Sequence, residues 1–468
     1  MLQLSLNNEL DLPLVDQIVS AVRTQVEDRV LRPGMRMPPI RVFAEQHQVS
    51  RFTVVEAYDR LVAMGYLRSR RGSGFFVAAQ AEPSSPDEST PLDRAIDVVW
   101  LLRQGFGDHG NQLKASMGWL PREWLDEDGL RRHIRTVSRD ADCQLSNYGT
   151  PMGYLPLRRQ LQIRLAELGI GAKPEQIVLT QGATQALDLA ARFLIKAGDA
   201  VLVDDPGYFS IFGNLRLHGA RLVGVPRTVD GPDTAAMEAL ILEHRPRVFF
   251  THSVLHNPTS SSLSPAVAHQ VLKLAERYDL TIVEDDTYAD FQHVATSRLA
   301  TLDQMERVIY VGSFSKTLSG CLRVGYLAAR RDIADTVADI KLLSALPTSE
   351  FNERLVHNML IEGHYRKFME RMHARLEACT AKGLRMLERV GLELYTDPKG
   401  GMFAWTRVPG MADTAPLADK AAREEILLAP GKLFRPQMQP SSCLRFNVAY
   451  TTDPRLESFL KRALDSGG

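Results

Sequence analysis

After about residue 140 the chain alternates helical patterns with short apolar runs, and this leaves few folds open to it. The runs are Ile177-Val178-Leu179, Val201-Leu202-Val203, Leu222-Val223, Val248-Phe249-Phe250, Ile282-Val283, Val308-Ile309-Tyr310-Val311 and Val324-Gly325-Tyr326-Leu327. Such alternation predicts an α/β domain with a mainly parallel sheet. In sheets of this kind ligands bind beyond the carboxyl ends of the strands.

Polar residues follow the runs where that rule places a site. Thr180-Gln181-Gly182-Ala183-Thr184-Gln185 opens a helix after Leu179, and Asp204-Asp205-Pro206-Gly207-Tyr208 follows Val203. His256-Asn257-Pro258-Thr259 comes a short loop after Phe250, Asp285 follows Val283 by two residues, and Ser313 follows Val311 by two. Five loops therefore converge on one sheet edge, and the last carries Ser313-Phe314-Ser315-Lys316-Thr317 with Arg323 beyond it.

Together these residue types suit pyridoxal 5'-phosphate. The helix start at Ala183 and Thr184 offers backbone amides and a hydroxyl for a phosphate, Ser313 and Ser315 add hydroxyls, and Arg323 adds a two-pronged clamp. Asp285 would keep a pyridine nitrogen protonated, making the ring an electron sink. Asn257 and Tyr288 can bond the ring's phenolic oxygen, and Tyr208 can stack on its face. Lys316 supplies the amine for a Schiff base and, once displaced by an amino compound, a general base. Singly, each signal has a plainer reading as a turn or surface loop. Their order, spacing and shared edge make the cofactor site the expectation.

The first eighty residues follow a different pattern. Val15, Ile18, Val19, Val22, Val26 and Val30 recur at helical spacing until Arg32-Pro33-Gly34 stops them. A second helix is predicted after Pro38-Pro39 to about Gln48, and a third from the N-cap Ser50 to Gly65, burying Val54, Ala57, Leu61 and Val62. Tyr66-Leu67-Arg68 and Gly74-Phe75-Phe76-Val77 read as two strands around Arg70-Arg71-Gly72-Ser73, completing a winged helix-turn-helix. Arg51, Phe52 and Thr53 would stand in the first turn of the groove-entering helix; Arg41, Arg70 and Arg71 are placed for phosphates or the minor groove.

The whole chain is neutral, with 56 basic and 56 acidic residues, so no global field draws it to nucleic acid or membrane. Residues 32 to 71 nevertheless carry eight arginines against three acids and no lysine, the local charge a DNA module uses. At 468 residues two or more domains are expected. The division predicted is a DNA-binding module over 1–79, a Pro/Ser/acid-rich linker over 80–92, and a cofactor-binding region over 93–468. The four scattered cysteines lack metal-ligand spacing, pointing to a reducing compartment without zinc or disulfides. With no long apolar stretch, a cytoplasmic protein without a membrane partner is expected.

Two resemblances sharpen this reading. Met37-Pro38-Pro39-Ile40-Arg41, Val49-Ser50-Arg51-Phe52-Thr53-Val54 and Met64-Gly65-Tyr66-Leu67 resemble the GntR family of winged-helix regulators, with Pro39 and Ile40 replacing small polar residues. Residues 145 to 450 look like a fold-type I aminotransferase of the class I/II group. That resemblance implies the cofactor roles above and adds two residues: Tyr148, reaching a neighbouring subunit's phosphate, and Arg445, gripping an amino acid's α-carboxylate. Ser260 and Gly320-Cys321 depart from the family's Gly and Pro-Gly. The union of the two modules is the architecture of the MocR subfamily. It implies a domain-swapped homodimer that binds a double-stranded DNA operator and senses an amino compound, or the cofactor itself, through aldimine chemistry at Lys316. The alternatives are a working aminotransferase with an accessory winged helix, and a scaffold that has lost its cofactor. Residues selecting one amine over another are expected in Leu113–Leu125 and Leu346–Phe351.

Overall fold

The computed structural model describes residues 13–28, 30–70, 73–78, 98–107, 110–292 and 296–465. Arg71 and the predicted linker lie outside these. The chain divides into two compact units, 1–94 and 95–468.

The first unit contains helices α1 (Leu14–Glu27), α2 (Ile40–His47) and α3 (Arg51–Ala63) and a hairpin of β1 (Leu67–Arg70) and β2 (Gly74–Val77). Pro39 stands at the start of α2, where its missing N–H costs nothing, and Gln48 ends the helix in a left-handed conformation. Ser50 caps α3 by accepting from Thr53 N at 3.0 Å. Ile18, Val22, Phe43, Val54, Tyr58 and Leu61 form one buried core under the hairpin. The sequence pattern runs α1 to Leu31, but the helix stops at Glu27. Leu31 turns back into the core through its amide bond to Gln25 O, which leaves Val30 64% exposed.

All seven apolar runs of the second unit are strands: β3 (Ile177–Thr180), β4 (Ala200–Asp205), β5 (Arg221–Thr228), β7 (Val248–Thr251), β8 (Thr281–Asp285), β9 (Val308–Ser313) and β10 (Gly325–Ala328). With the short β6 (Gly231–Pro232) they make an eight-stranded sheet in the order β3-β10-β9-β8-β7-β4-β5-β6. The runs are continuously apolar because both faces are covered. Leu202, Phe249, Ile282 and Tyr310 join one core layer, while their neighbours Val203, Phe250, Val283 and Val311 join the other. Strands β5, β4, β7, β8 and β9 are parallel, whereas β10 is antiparallel to both its partners. The connection from β9 to β10 contains no helix to carry the chain back across the sheet, so the strand returns in the opposite sense. A second, antiparallel sheet, β11 (Glu393–Leu394), β12 (Phe403–Arg407), β13 (Ala429–Pro430) and β14 (Cys443–Asn447), has the order β11-β12-β14-β13.

Candidate functional site

The loops after β3, β4, β7, β8 and β9 meet at one sheet edge as the sequence pattern predicts. A cavity of about 60 Å³ is walled by Ala183, Thr184, Tyr208, Asn257, Asp285 and Tyr288, by Ser313 at the end of β9, and by Ser315, Lys316 and Arg323 from the β9–β10 connection. A larger cavity of about 790 Å³ shares Thr184, Tyr208, Asn257, Tyr288, Lys316 and Arg323, and adds Arg445. Eleven of the predicted residues are thus brought together. Tyr148 is not among them: it is 80% exposed and lines neither cavity.

The phosphate end is set by close backbone approach. Gly182 precedes helix Ala183–Leu194 at φ 77°, and no side chain caps the helix start. A Cβ at Gly182 would lie 2.7 Å from Arg323 Nη2, and one at Gly325 would lie 2.6 Å from the Gly182 carbonyl carbon. Only glycine permits β10 and the helix start to sit this close with the guanidinium beside them. Arg323 Nη2 donates to Gln181 O at 2.9 Å and Nη1 to Ser315 Oγ at 3.3 Å, while Ser315 N donates to Ser313 Oγ at 3.2 Å. Hydroxyls, a guanidinium and an uncapped helix start therefore form a cradle of phosphate type.

Lys316 keeps a little exposure to the cavity. Burial, reinforced by the positive charges of Arg445 and Arg323, lowers its amine to about 8. Tyr288 Oη and Lys316 Nζ lie 3.6 and 3.7 Å from the position a Cβ would take on Gly118, so this glycine leaves room over the amine. Burial pushes Asp285 upward, but His252 Nε2 at 3.3 Å and the Thr287 hydroxyl at 2.5 Å outweigh it and hold the carboxyl below its ordinary range. Behind them lies a sealed network. Arg227 Nη1 contacts Asp204 Oδ1 at 3.0 Å, and Arg227 Nη2 donates to His252 O at 3.0 Å. His256 Nε2 stands 3.5 Å from Asp204 Oδ2, and burial, together with Arg227, lowers this imidazole to about 3. The donor set fits pyridoxal phosphate: amine, carboxylate and phosphate cradle open onto one cavity.

Arg445 is 1% exposed, not the surface-strand arginine its place in β14 first suggests. Its Nη1 donates to Asn257 Oδ1 at 2.7 Å, its Nη2 to Ser116 O, and its Cζ lies 4.4 Å from the centroid of the Phe403 ring. Nε has no partner, and burial lowers the group to about 10. Asn447 Nδ2 donates to Met117 O and Trp119 O, each at 2.8 Å, so the segment over the amine is pinned to β14. Lys114, Met117 and Leu125 line the large cavity as expected of the Leu113–Leu125 stretch, but Leu346–Phe351 does not. Helix Glu350–Ile361 begins there and packs mainly against the helices Glu127–Arg139, Leu155–Glu167 and His364–Arg389.

Ser260, the departure after Asn-Pro-Thr, keeps the left-handed backbone a glycine would take, at φ 57°. Its hydroxyl donates to Phe403 O at 2.8 Å, giving the side chain a local purpose. Sequence reasoning does not single out His252, Arg227 or Gly118. His252 directly follows β7, so the rule that finds Asp285 reaches it too. Arg227 and Gly118 carry no such signal.

In the first unit Arg51 is exposed and Phe52 is 77% exposed at the start of α3. Thr53 is half-buried, its hydroxyl 2.7 Å from Ser50 Oγ, and so belongs to the helix cap. Arg41 makes a surface pair with Glu45 at 3.1 Å, and the Arg70 guanidinium stands 5.1 Å from the Phe76 ring centroid. Arg60 ties α3 to Asp16 of α1 at 2.9 Å and is spent on the fold. Among the described residues no helix is long and apolar enough to cross a membrane.

Fold and site define a winged-helix module joined to an aminotransferase-like domain. The family described as bacterial regulatory proteins, gntR family, matches residues 14–77, and that described as aminotransferase class I and II matches residues 126–462. The chain is 32% identical to the HTH-type transcriptional regulator TauR of Rhodobacter capsulatus over 86% of each chain. It is 29% identical to the probable rhizopine catabolism regulatory protein MocR of Rhizobium meliloti, over 79% of this chain and 76% of that one. Among solved structures, LysN, an alpha-aminoadipate aminotransferase of Thermus thermophilus complexed with N-(5'-phosphopyridoxyl)-L-leucine, matches at 28% identity. Its TM-score is 0.71, covering 80% of this chain and 95% of that one. The chain belongs to the MocR subfamily of GntR-type transcriptional regulators.

Proposed function

We propose that this regulator holds pyridoxal 5'-phosphate at Lys316, and that an amino compound arriving there changes how its winged helices engage a double-stranded operator. The observation that carries the reading is the cavity in which a desolvated lysine amine, a buried carboxylate and a phosphate cradle face one another. When bound, the cofactor supplies an electrophilic aldehyde carbon conjugated to an electron-withdrawing ring.

The chain's own groups do the rest. Burial lowers the Lys316 amine to about 8, which favours its uncharged, nucleophilic form. Asp285, kept ionised by His252 and Thr287, accepts a hydrogen bond from a ring N–H. Thr184, Ser313, Ser315 and Arg323 hold phosphate oxygens, and Ala183 offers its amide. Tyr208 covers one ring face, and Tyr288 with Asn257 donates to the ring oxygen. Arg445 receives the α-carboxylate of an amino acid, which explains a buried cation whose Nε lacks a partner. Tyr148, exposed and away from its own site, suits a partner's phosphate in a domain-swapped homodimer. Arg51 and Phe52 meet base edges, while Arg41 and Arg70 meet phosphates. A regulatory effect requires the amine to bind one arrangement of the modules better than the other.

A second reading, turnover as an aminotransferase, is favoured by Arg445 lining the same cavity as Lys316. Absorbance of the protein with pyridoxal phosphate, before and after borohydride, tests both. A visible band absent from Lys316→Ala, shifted by an amine without release of keto acid, is expected of a sensor. Keto acid release supports the enzyme, and no band in the wild type overturns cofactor binding.

A further inference from the structure

The large cavity extends well past the cofactor end, and the ionisable cations lining it outnumber any pairing carboxylate. Its ionisable basic side chains are Lys114, Arg122, Lys316, Arg323 and Arg445, and among the described residues no aspartate or glutamate lines it. Three of these are already engaged by the reading above. Arg122 is held by both oxygens of Glu127, at 2.6 and 3.0 Å. That leaves Lys114. Its Nζ donates to Gly105 O at 2.7 Å and stands 5.7 Å from the Trp119 ring centroid. A lysine ammonium has three donors, and among the described residues no carboxylate pairs with this one. Lys114 lies two residues before Ser116, whose carbonyl accepts from Arg445, so the Lys114 segment is bonded directly to the other cation.

We propose that the effector is an amino acid bearing a second anionic group, its α-carboxylate on Arg445 and its distal anion on Lys114. This rests on the sensor reading and names its ligand class. A cationic side chain would meet the Lys114 ammonium and the Arg445 guanidinium, and a neutral one would leave the Lys114 ammonium without an anion. Trp119, with the Phe106 ring tilted against it at 5.2 Å, walls the path with apolar surface that a methylene chain can cover.

The test uses the full-length protein loaded with pyridoxal phosphate, titrated with glutamate, glutamine and lysine, and with aspartate against asparagine. Half-saturation is read from the visible spectrum and by calorimetry. The acids are expected to bind about tenfold or more tighter than their amides, the size of one charge-assisted hydrogen bond, with lysine weaker still. Lys114→Gln should erase that preference and Lys114→Arg should keep it. Amides binding as tightly as acids, or a preference unchanged in Lys114→Gln, overturns the assignment. If no visible band forms, the cofactor reading has failed separately, and calorimetry on the same pairs and variants still decides the role of Lys114.

Discussion

Replacing Arg227 by methionine removes one half of a buried ion pair and leaves the other in place. In the wild type Arg227 Nη1 lies 3.0 Å from Asp204 Oδ1, with both side chains sealed from solvent. Asp204 also accepts from Thr251 Oγ1 at 2.8 Å and His252 N at 3.3 Å. Those bonds survive the change, but the counter-charge does not. Breaking a buried pair this way costs about 3–5 kcal/mol. The double variant Arg227→Met with Asp204→Asn carries no stranded charge and should recover roughly 2–3 kcal/mol of that loss. Urea unfolding followed by tryptophan fluorescence isolates the effect, because Trp100, Trp119, Trp124 and Trp405 all lie in the second unit. The pH dependence has a definite sign. In the wild type burial raises the Asp204 pKa but Arg227 and His256 hold it well below the ordinary range, so its stabilisation is complete above about pH 4 and is lost only in stronger acid. In Arg227→Met burial dominates and the folded pKa rises, so the deficit against wild type should shrink as pH falls from 7 toward 4. A single variant costing less than 1 kcal/mol, or a deficit that widens on acidification, refutes the argument.

Other groups give independent checks. His256 is held at about 3 in the folded chain against 6.5 ordinarily. Its stabilising effect is therefore present above pH 6.5 and lost as pH falls below it, by up to about 1.4 kcal/mol per unit; His256→Gln should flatten that slope in the same unfolding assay. Arg445→Met removes a buried cation that has no carboxylate partner among the described residues, so thermal stability should hold or rise while amino acid affinity falls about tenfold or more, read by melting and titration together. Arg51→Ala and Phe52→Ala, at exposed positions, should each weaken operator binding by about 1–3 kcal/mol with unfolding changed by less than about 0.5 kcal/mol.

The strands and the loop edge are legible because a short continuous apolar run between turn residues suits a strand covered on both faces, and because Asp285 ends a strand while Lys316 and Asn257 come shortly after one. Arg445 is legible only through resemblance. An arginine in the middle of β14 gives no local sign that Asn257, Ser116 and Phe403, distant in sequence, enclose it. The Arg227–Asp204–His256 network is hidden for the same reason, since its members come from different elements and meet only in the packed interior. Spacing alone carries α1 too far because Val30, an apolar residue in helical register, lies past the turn that returns Leu31 to the core. Sequence places Thr53 correctly in the first turn of α3 but does not reveal that its hydroxyl meets Ser50.

Occupancy at Lys316 is expected to alter DNA binding. The most direct test is the affinity of the full-length protein for a DNA fragment selected by the cofactor-loaded wild type, measured with and without pyridoxal phosphate for wild type and Lys316→Ala. The cofactor should change wild-type affinity, an acidic amino acid should change it again, and Lys316→Ala should respond to neither while still binding DNA through its winged helix. Equal responses in wild type and Lys316→Ala, or no response in either, would contradict that expectation.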